Sequence, residues 1–396
     1  MAAHVLIAGG GIGGLAAALA LATSRRGHRI EVLEQAPAFG EIGAGVQLGP
    51  NATRRLIALN LAQPLKAVAA QPEALVIRSA DTGAELARMP LGQSLQQRYG
   101  APYFCVHRAD LHTLLLRAAQ ARGVKQLSLN VGVRVGEAVA GDASVCVSSA
   151  DARAWEGDAL VGADGLWGTV RQQVDASAAA PRSTGHTAWR GLLHQSRLPA
   201  ARRSRQVDVW LGPRLHAVAY PVRGGTWLNV VVIAESAPAG DARDWDQASS
   251  FTALQQATGR CGGSLQALLE AMPVWRAWSL HDRAPLASAA GMANGRIALV
   301  GDAAHPMVPY LAQGAGMAIE DAVALAEALG EGGPADVPAA FASYAAARWQ
   351  RNALVQTRAR RNGDIFHATG AMRWGRDLAM RVLGKRLLDQ PWLYAG

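Results

Sequence analysis

Lysine, cysteine and long apolar runs are what this 396-residue chain has least of. Lysine occurs only at Lys66, Lys125 and Lys385, so the formal net charge of +9 is carried almost wholly by arginine. The arginines are dispersed, apart from the cluster Arg202-Arg203-Ser204-Arg205, and no basic stripe carries interleaved aromatics. That pattern excludes nucleic acid as a partner and fits an anionic cofactor and an anionic substrate. The three cysteines, Cys105, Cys146 and Cys261, are far apart with no Cys-x-x-Cys pair. They exclude a disulfide framework and a metal centre and read as reduced, mostly buried thiols. No apolar run reaches the ~18 residues of a membrane span. No basic segment with a cleavage site precedes the first strand, so a soluble, cytoplasmic protein is expected. A Gly-x-Ser-x-Gly elbow and a His-Glu-x-x-His pair are both missing, which removes support for hydrolase and zinc-protease chemistry.

The chain does have apolar residues, at 50%. Its length and hydrophobic content predict a large buried core divided between two domains. It also has glycine, and the first glycines are the most informative. The apolar run Val5–Ala8 reads as a buried strand, followed by Gly9, Gly11 and Gly14 in the spacing G-x-G-x-x-G and then a run of helix formers through Ala22. Each glycine has its own physical role. Gly9 allows a sharp turn, Gly11 gives a pyrophosphate access to the backbone, and Gly14 lets helix and strand pack closely. The helix N-terminus then presents free N–H groups and the positive end of its dipole to the phosphates. A second strand, residues 28–34, ends in Glu34, twenty positions past Gly14, where a carboxylate can accept both ribose hydroxyls of an adenosine. The fingerprint leaves FAD and NAD both open.

Further along, the glycine-rich stretch 38–51 reads as a loop that something approaches closely, with a helix over 52–61 after it. Strands are predicted at 73–92 around a turn at Asp81-Thr82-Gly83, a helix from His107 to about Arg122, and strand-like runs ending at Ala159–Gly165. Residues 186–193, 206–223 and 226–234 alternate like antiparallel strands, 250–272 reads as helical, and 295–302 is again a buried strand ending in Gly-Asp. A helix follows over 313–329, and 339–388 is amphipathic and helical. The nucleotide fold is thus begun, interrupted and resumed. The expected architecture is α/β, with a Rossmann-like βαβ unit in a discontinuous first domain (1–72, 101–178, 282–350), an inserted sheet-rich domain (73–100, 179–281) and a C-terminal helical segment (351–396).

Three separated motifs carry a resemblance: Gly9-x-Gly11-x-x-Gly14; Asp164-Gly165 with Arg171; and Gly301-Asp302 continuing to His305-Pro306. Together the chain resembles the single-component, FAD-dependent aromatic hydroxylases of the p-hydroxybenzoate and salicylate hydroxylase superfamily. The resemblance implies a glutathione-reductase-like FAD-binding fold and selects FAD over NAD. It implies FAD contacts at Gly9, Gly11, Gly14, Glu34, Gln47, Arg108, Asp164 and Asp302. It also implies a helix opening at Gly314, Ala315 and Gly316 that aims N–H groups at the flavin edge that becomes negative on reduction. One departure stands out: the family's usual serine in Asp-Gly-x-x-Ser is Gly168 here, which puts one local hydrogen bond in doubt. No second glycine fingerprint exists, as expected if NADH (or NADPH) only visits.

On the run Leu215–Val222, His216, Val218 and Tyr220 share one strand face. On the strand alone a hydrogen-bonded core histidine and a packed tyrosine are the commoner outcome. The segment also resembles the His-x-x-x-Tyr-Pro stretch of hydroxylases acting on 3-hydroxybenzoate, salicylate and 6-hydroxynicotinate, and residues 98–108 look most like the 3-hydroxybenzoate 6-hydroxylases. The resemblance implies that His216 deprotonates a phenol so that the electron-rich ring attacks a flavin C4a-hydroperoxide, with Tyr220 holding a carboxylate or phenolate. It further places Pro306, Tyr310 and Gln313 near the substrate. The expected reaction is hydroxylation of a monohydroxylated aromatic carboxylate with NAD(P)H and O₂, first 3-hydroxybenzoate to gentisate. Decarboxylating salicylate hydroxylation and 6-hydroxynicotinate hydroxylation are the alternatives within the class. A flavin-binding NADH oxidase or ligand-binding protein is the alternative outside it. Trp189-Arg190-Gly191 and His281-Asp282-Arg283 are read as domain packing or pocket floor, and a homodimer is one expectation for assembly.

Overall fold

The computed structural model describes residues 2–39, 44–122, 127–237, 240–330 and 333–395. Gly40–Gly43 of the glycine-rich stretch, and Lys125, lie outside them. The strand His4–Ala8 sits at the centre of a six-stranded sheet among the described residues. It pairs in parallel with Arg29–Glu34 on one side and Ala159–Gly162 on the other, and the sheet continues to Leu127–Val131 and Ile297–Leu299. All residues from Val5 to Ala8 are fully buried, as a parallel strand covered on both faces requires. The helix Ile12–Ala22 packs on it through alanines and leucines that are nearly all buried, so it has no polar stripe.

A second sheet of eight strands is assembled from chain segments inserted between these parallel strands. Its core is the antiparallel set Arg182–His194, Trp227–Glu235, Leu215–Val222 and Val207–Gly212. The strand Ala74–Ser79 joins it in parallel beside Val207–Gly212. The run 206–223, which reads as one alternating stretch, is two strands joined at Pro213-Arg214, with Arg214 at φ 60°. Alternation carries no signal at a tight turn.

Other local expectations also shift. The helix after the glycine-rich stretch begins at Pro50, whose fixed φ suits a first turn, and ends at Ala58, with a separate helix over Ala62–Val68. Within the stretch itself, Gly45–Leu48 is a strand paired with Phe104–His107 rather than a loop. The 250–272 segment breaks into Phe251–Thr258 and Gly263–Glu270. The last helical region contains one 30-residue helix, Val337–Phe366, which runs straight through the expected border at 351, followed by Gly370–Leu383 and two short helices. Cys105 and Cys261 are buried, but Cys146 is exposed. Among the described residues no helix is long and apolar enough to cross a membrane.

Candidate active site

The carboxyl ends of the parallel strands and one face of the large sheet enclose a cavity of about 840 Å³. The glycine turn forms one end. Gly9 has φ +105°, and a Cβ there would lie 2.4 Å from the carbonyl oxygen of Ala163. A Cβ on Gly14 would lie 1.9 Å from the carbonyl oxygen of Gly9, so helix and strand could not approach as they do. Gly9 and Gly11 line the cavity; Gly14 lies behind them in the packing role read from its spacing. Gly11 caps the helix with no side-chain hydrogen bond, leaving the first-turn N–H groups available. Glu34 also lines the cavity; its carboxylate accepts from the Gly10 N–H at 2.6 Å and the Ala36 N–H at 2.8 Å.

Asp302, Gln313, Gly314 and Ala315 form a second part of the wall, where the helix Gly314–Leu329 starts without a side-chain cap. Gly316 is buried one step back, where a Cβ would crowd the Gln313 side chain at 3.2 Å. Asp302 is open to the cavity yet enclosed by protein, and burial pushes its carboxyl up against the opposing pull of His305 and Arg108. The tight turn 301–306 that carries it is clamped from behind. Asp321, fully buried, accepts from the Gly301 N–H at 3.1 Å, from Arg348 Nε at 2.9 Å and from His305 Nε2. Glu320 pairs with Arg348 and Arg351, and its Oε1 accepts from Asn51, which also donates to Gln313 at 3.0 Å. Burial alone would raise the Asp321 carboxyl, but His305 and Arg348 beside it hold it well below the usual carboxylate range.

The large sheet supplies the third part. His216, Val218 and Tyr220 all reach the cavity wall, joined by Val231 and Ile233 from the neighbouring strand. His216 is 2% exposed and Tyr220 4%. Burial drives the His216 imidazole well below its ordinary 6.5, and the neighbouring His367 and His186 add to the effect. The ring is therefore neutral at pH 7. Burial pushes the Tyr220 phenol up, so it stays protonated and able to donate. Gln47 lines the same region and accepts from Tyr103 at 2.7 Å. Gly45 is the point of close approach in the glycine-rich stretch: a Cβ there would lie 2.4 Å from the Tyr220 ring.

The geometry gathers Gln47, Arg108, Asp164, Asp302, Gln313, His216 and Tyr220 around one space. It leaves two expected substrate contacts off the wall. Pro306 faces inward, its carbonyl accepting from Gln356 at 3.0 Å, and Tyr310 packs on His216 and His367; Met307, Pro309 and Ala312 line the cavity instead. Proline-rich loops alternate direction in ways that spacing does not encode. Trp189-Arg190-Gly191 divides between the two roles read for it: Trp189 bonds Ser249 in the sheet, whereas Arg190 lines the cavity, stacked on Trp245 at 4.5 Å. His281-Asp282-Arg283 is packing, with Asp282 bridging Arg182 and Arg360. Sequence reasoning missed Asn51, Glu320, Asp321 and Arg348, as well as the two histidines beside His216. Only Asn51 lies in a stretch the sequence singles out, at the end of 38–51, and none of them has a recognisable spacing.

A family model described as an FAD binding domain matches residues 2–359. The chain is 40% identical to a 3-hydroxybenzoate 6-hydroxylase of Polaromonas naphthalenivorans (strain CJ2) over 98% of its own length and 95% of that protein. It is 36% identical to a 3-amino-4-hydroxybenzoate 2-monooxygenase of Streptomyces platensis, over 99% and 95%. The chain belongs to the FAD-dependent aromatic hydroxylases. Its structure agrees: Klebsiella pneumoniae HpxO, solved with FAD and uric acid, superposes with a TM-score of 0.83 at 25% identity, covering 97% of this chain and 94% of that one.

The hydroxylase's own residues fit FAD. The glycine cradle excludes side chains where a pyrophosphate would approach. Two uncapped helix N-termini meet in one cavity. The buried Oδ1 of Asp164 and the buried Nη1 of Arg190 have no hydrogen-bond partner among the described residues. Such orphans cost free energy unless a ligand meets them. Glu34→Ala removes a charged acceptor that also ties the glycine turn together. FAD affinity should fall by about 1.5–3 kcal/mol, roughly ten- to a hundredfold in Kd. Fluorescence titration of the apoprotein checks this, and wild-type affinity would remove Glu34 from the cofactor site.

Gly168, the departure from the family pattern, lies where a side chain would meet the Asp164 carboxylate. Asp164 Oδ2 accepts from the Val170 N–H at 3.0 Å, which folds its carboxylate over residue 168. A Cβ on Gly168 would lie 2.0 Å from Asp164 Cγ. Restoring the family residue with Gly168→Ser should therefore displace Asp164 and cost about 1–3 kcal/mol. Gly168→Ala should do the same, because the clash is with Cβ and not with the hydroxyl. Thermal unfolding of both variants is the check; a stabilised serine variant would show that Asp164 has another resting position.

Proposed function

We propose that this hydroxylase converts 3-hydroxybenzoate to 2,5-dihydroxybenzoate, using NADH and O₂. The observation that carries the reading is that His216 and Tyr220 reach the same cavity wall from one face of a strand, with Val218 between them and Val231 and Ile233 beside them on the neighbouring strand. The 40%-identical relative named for that reaction supports it. Bound FAD supplies the activation of O₂, and Gly9, Gly11, Glu34, Arg108 and Asp302 would hold it. His216 Nδ1 is engaged by His367, which leaves Nε2 to take the phenolic proton and enrich the ring. Tyr220, kept protonated, donates to the substrate carboxylate or phenolate. The valines and isoleucine keep water from the reacting ring.

We assign the six-stranded sheet to a discontinuous cofactor domain and the eight-stranded sheet to an inserted substrate domain, with the helix Val337–Phe366 placed in the cofactor domain and the terminal segment starting after it. Product analysis with 3-hydroxybenzoate and salicylate tests the substrate. 2,5-Dihydroxybenzoate from the first and no catechol from the second is the expected result; the reverse would make it a salicylate hydroxylase. Coupled turnover without accumulating hydrogen peroxide excludes a mere NADH oxidase.

A further inference from the structure

Behind His216, two more imidazoles meet a surface carboxylate. His216 Nδ1 lies 2.8 Å from His367 Nε2, with the ring centres 5.0 Å apart. His367 Nδ1 lies 3.1 Å from His186 Nε2, yet those ring centres are only 4.8 Å apart. The second pair has the wider nitrogen gap and the closer rings. Rings joined in line would be farther apart, since each adds the same ring radius to the gap. Rings whose nitrogens converge on a point to one side give the shorter distance. An ion about 2.0–2.1 Å from each nitrogen would keep the two about 3.1–3.4 Å apart. The third group is Glu235, the cross-strand partner of His186. One ring nitrogen of each histidine and one oxygen of Glu235 all lie within 4.8 Å of one another.

The backbone ties these positions together. The Glu235 N–H donates to the Arg214 carbonyl at 3.1 Å, and the Arg214 N–H donates to the His367 carbonyl at 3.1 Å. His367 caps the C-terminal end of the helix Val337–Phe366, where the negative end of the dipole favours a cation. His186 is half-buried and the Glu235 side chain is 50% exposed, so an ion can arrive from solvent and Glu235 can turn inward onto it. The Arg214 side chain, 3.6 Å from that carboxylate, is 71% exposed, and such a pair is readily exchanged. Two imidazoles and a carboxylate, with a fourth position left for water, are a donor set that suits Zn²⁺. Spacing along the chain shows no such site, because its ligands stand at 186, 235 and 367.

We propose that His186, His367 and Glu235 bind a zinc-type divalent ion, and that the bound ion switches off hydroxylation through His367. The switch, unlike the site, rests on the reading of His216 as the base. Without the ion, His216 Nδ1–H donates to His367 Nε2 and His367 Nδ1–H donates to His186 Nε2, which leaves His216 Nε2 bare. With the ion on His367 Nδ1, that nitrogen gives up its proton and the ring carries its N–H on Nε2. This N–H donates to His216 Nδ1, so His216 keeps its own proton on Nε2, where the phenolic proton would have to go. Two N–H bonds break, at Nδ1 of His216 and of His367, and two form, at Nε2 of each ring. No proton is released and no electron moves. His367 is a positioning residue, since it acts only through His216.

The test titrates zinc into FAD-loaded, chelator-cleared enzyme and follows uptake by calorimetry, with hydroxylation of 3-hydroxybenzoate measured over the same range. Wild type should take up one ion per chain, and hydroxylation should fall as the site fills and return when chelator is added. Glu235→Gln and His186→Gln should each weaken uptake by about tenfold or more and move the inhibition to higher zinc by the same factor. Glu235 is at the surface, so its variant carries the test if the His186 variant does not fold. No uptake by wild type, or uptake unaltered by both substitutions, would overturn the site. Uptake with undiminished hydroxylation, or inhibition that stays at the wild-type zinc concentration in Glu235→Gln, would overturn the switch. Hydroxylation at the wild-type rate in His216→Ala would sink the base and the switch with it, while calorimetry, which needs no turnover, still decides the site.

Discussion

Replacing His216 with alanine should leave a yellow, FAD-loaded protein whose hydroxylation rate falls by about 10²- to 10⁴-fold, the usual range for loss of a positioned general base. The residues proposed to hold FAD line the cavity from other elements: the glycine turn, Glu34, and the 301–315 region. His216 stands across the cavity on the large sheet, so removing its ring does not disturb them. NADH should still be consumed, with hydrogen peroxide accumulating in place of hydroxylated product. Turnover on 3-hydroxybenzoate, product yield and peroxide are measured on the same sample. An unchanged product yield would reduce His216 to a core histidine. Tyr220→Phe separates binding from chemistry, since loss of a donor to the substrate should appear mainly in KM.

The second large effect concerns a residue that never meets substrate. Asp321→Ala should destabilise the enzyme by about 3–5 kcal/mol, because it removes one of the two carboxylates that pair with buried Arg348 and the carboxylate that meets buried His305 at once. Asp321 and Arg348 are 0% and 8% exposed at the side chain, so water cannot take over. The turn 301–306 loses the acceptor that holds the Gly301 N–H, and Asp302 moves with it. FAD should therefore be released more readily in this variant than the unfolding midpoint alone implies. Urea unfolding and FAD retention on gel filtration measure the two effects. Asp321→Asn, which keeps the shape but not the charge, should fall between. A loss below about 1 kcal/mol would mean that the pair relaxes by admitting water.

Much of the candidate cofactor site is legible in the chain because its chemistry is local. A strand, a glycine turn and a helix start are consecutive residues, and Gly9, Gly11, Gly14 and Glu34 follow from backbone sterics and the length of one βαβ unit. The His216–Tyr220 face follows from the two-residue period of a strand. Where local rules compete, the reading fails. Glycines at 44–49 read as loop, yet Gly45–Leu48 is drawn into pairing by Phe104–His107. Tyr310 follows the cavity-lining Pro309 but turns the other way, because a glycine on the long helix makes room for its ring.

By itself the sequence determined the nucleotide fold, the flavin, the reaction class and which strand face carries His216 and Tyr220, since each depends on spacing along a few consecutive residues or on motifs that keep their order. Only the tertiary structure decided what stands behind that face. His367 is 151 positions from His216 and His186 is 181 from His367. The clamp on Asp302 joins side chains from Asn51 to Arg348. Nothing in local backbone chemistry correlates residues so far apart; they meet because an inserted sheet and a long helix bury apolar faces against one another, and the polar groups trapped between them must find each other or remain unpaired.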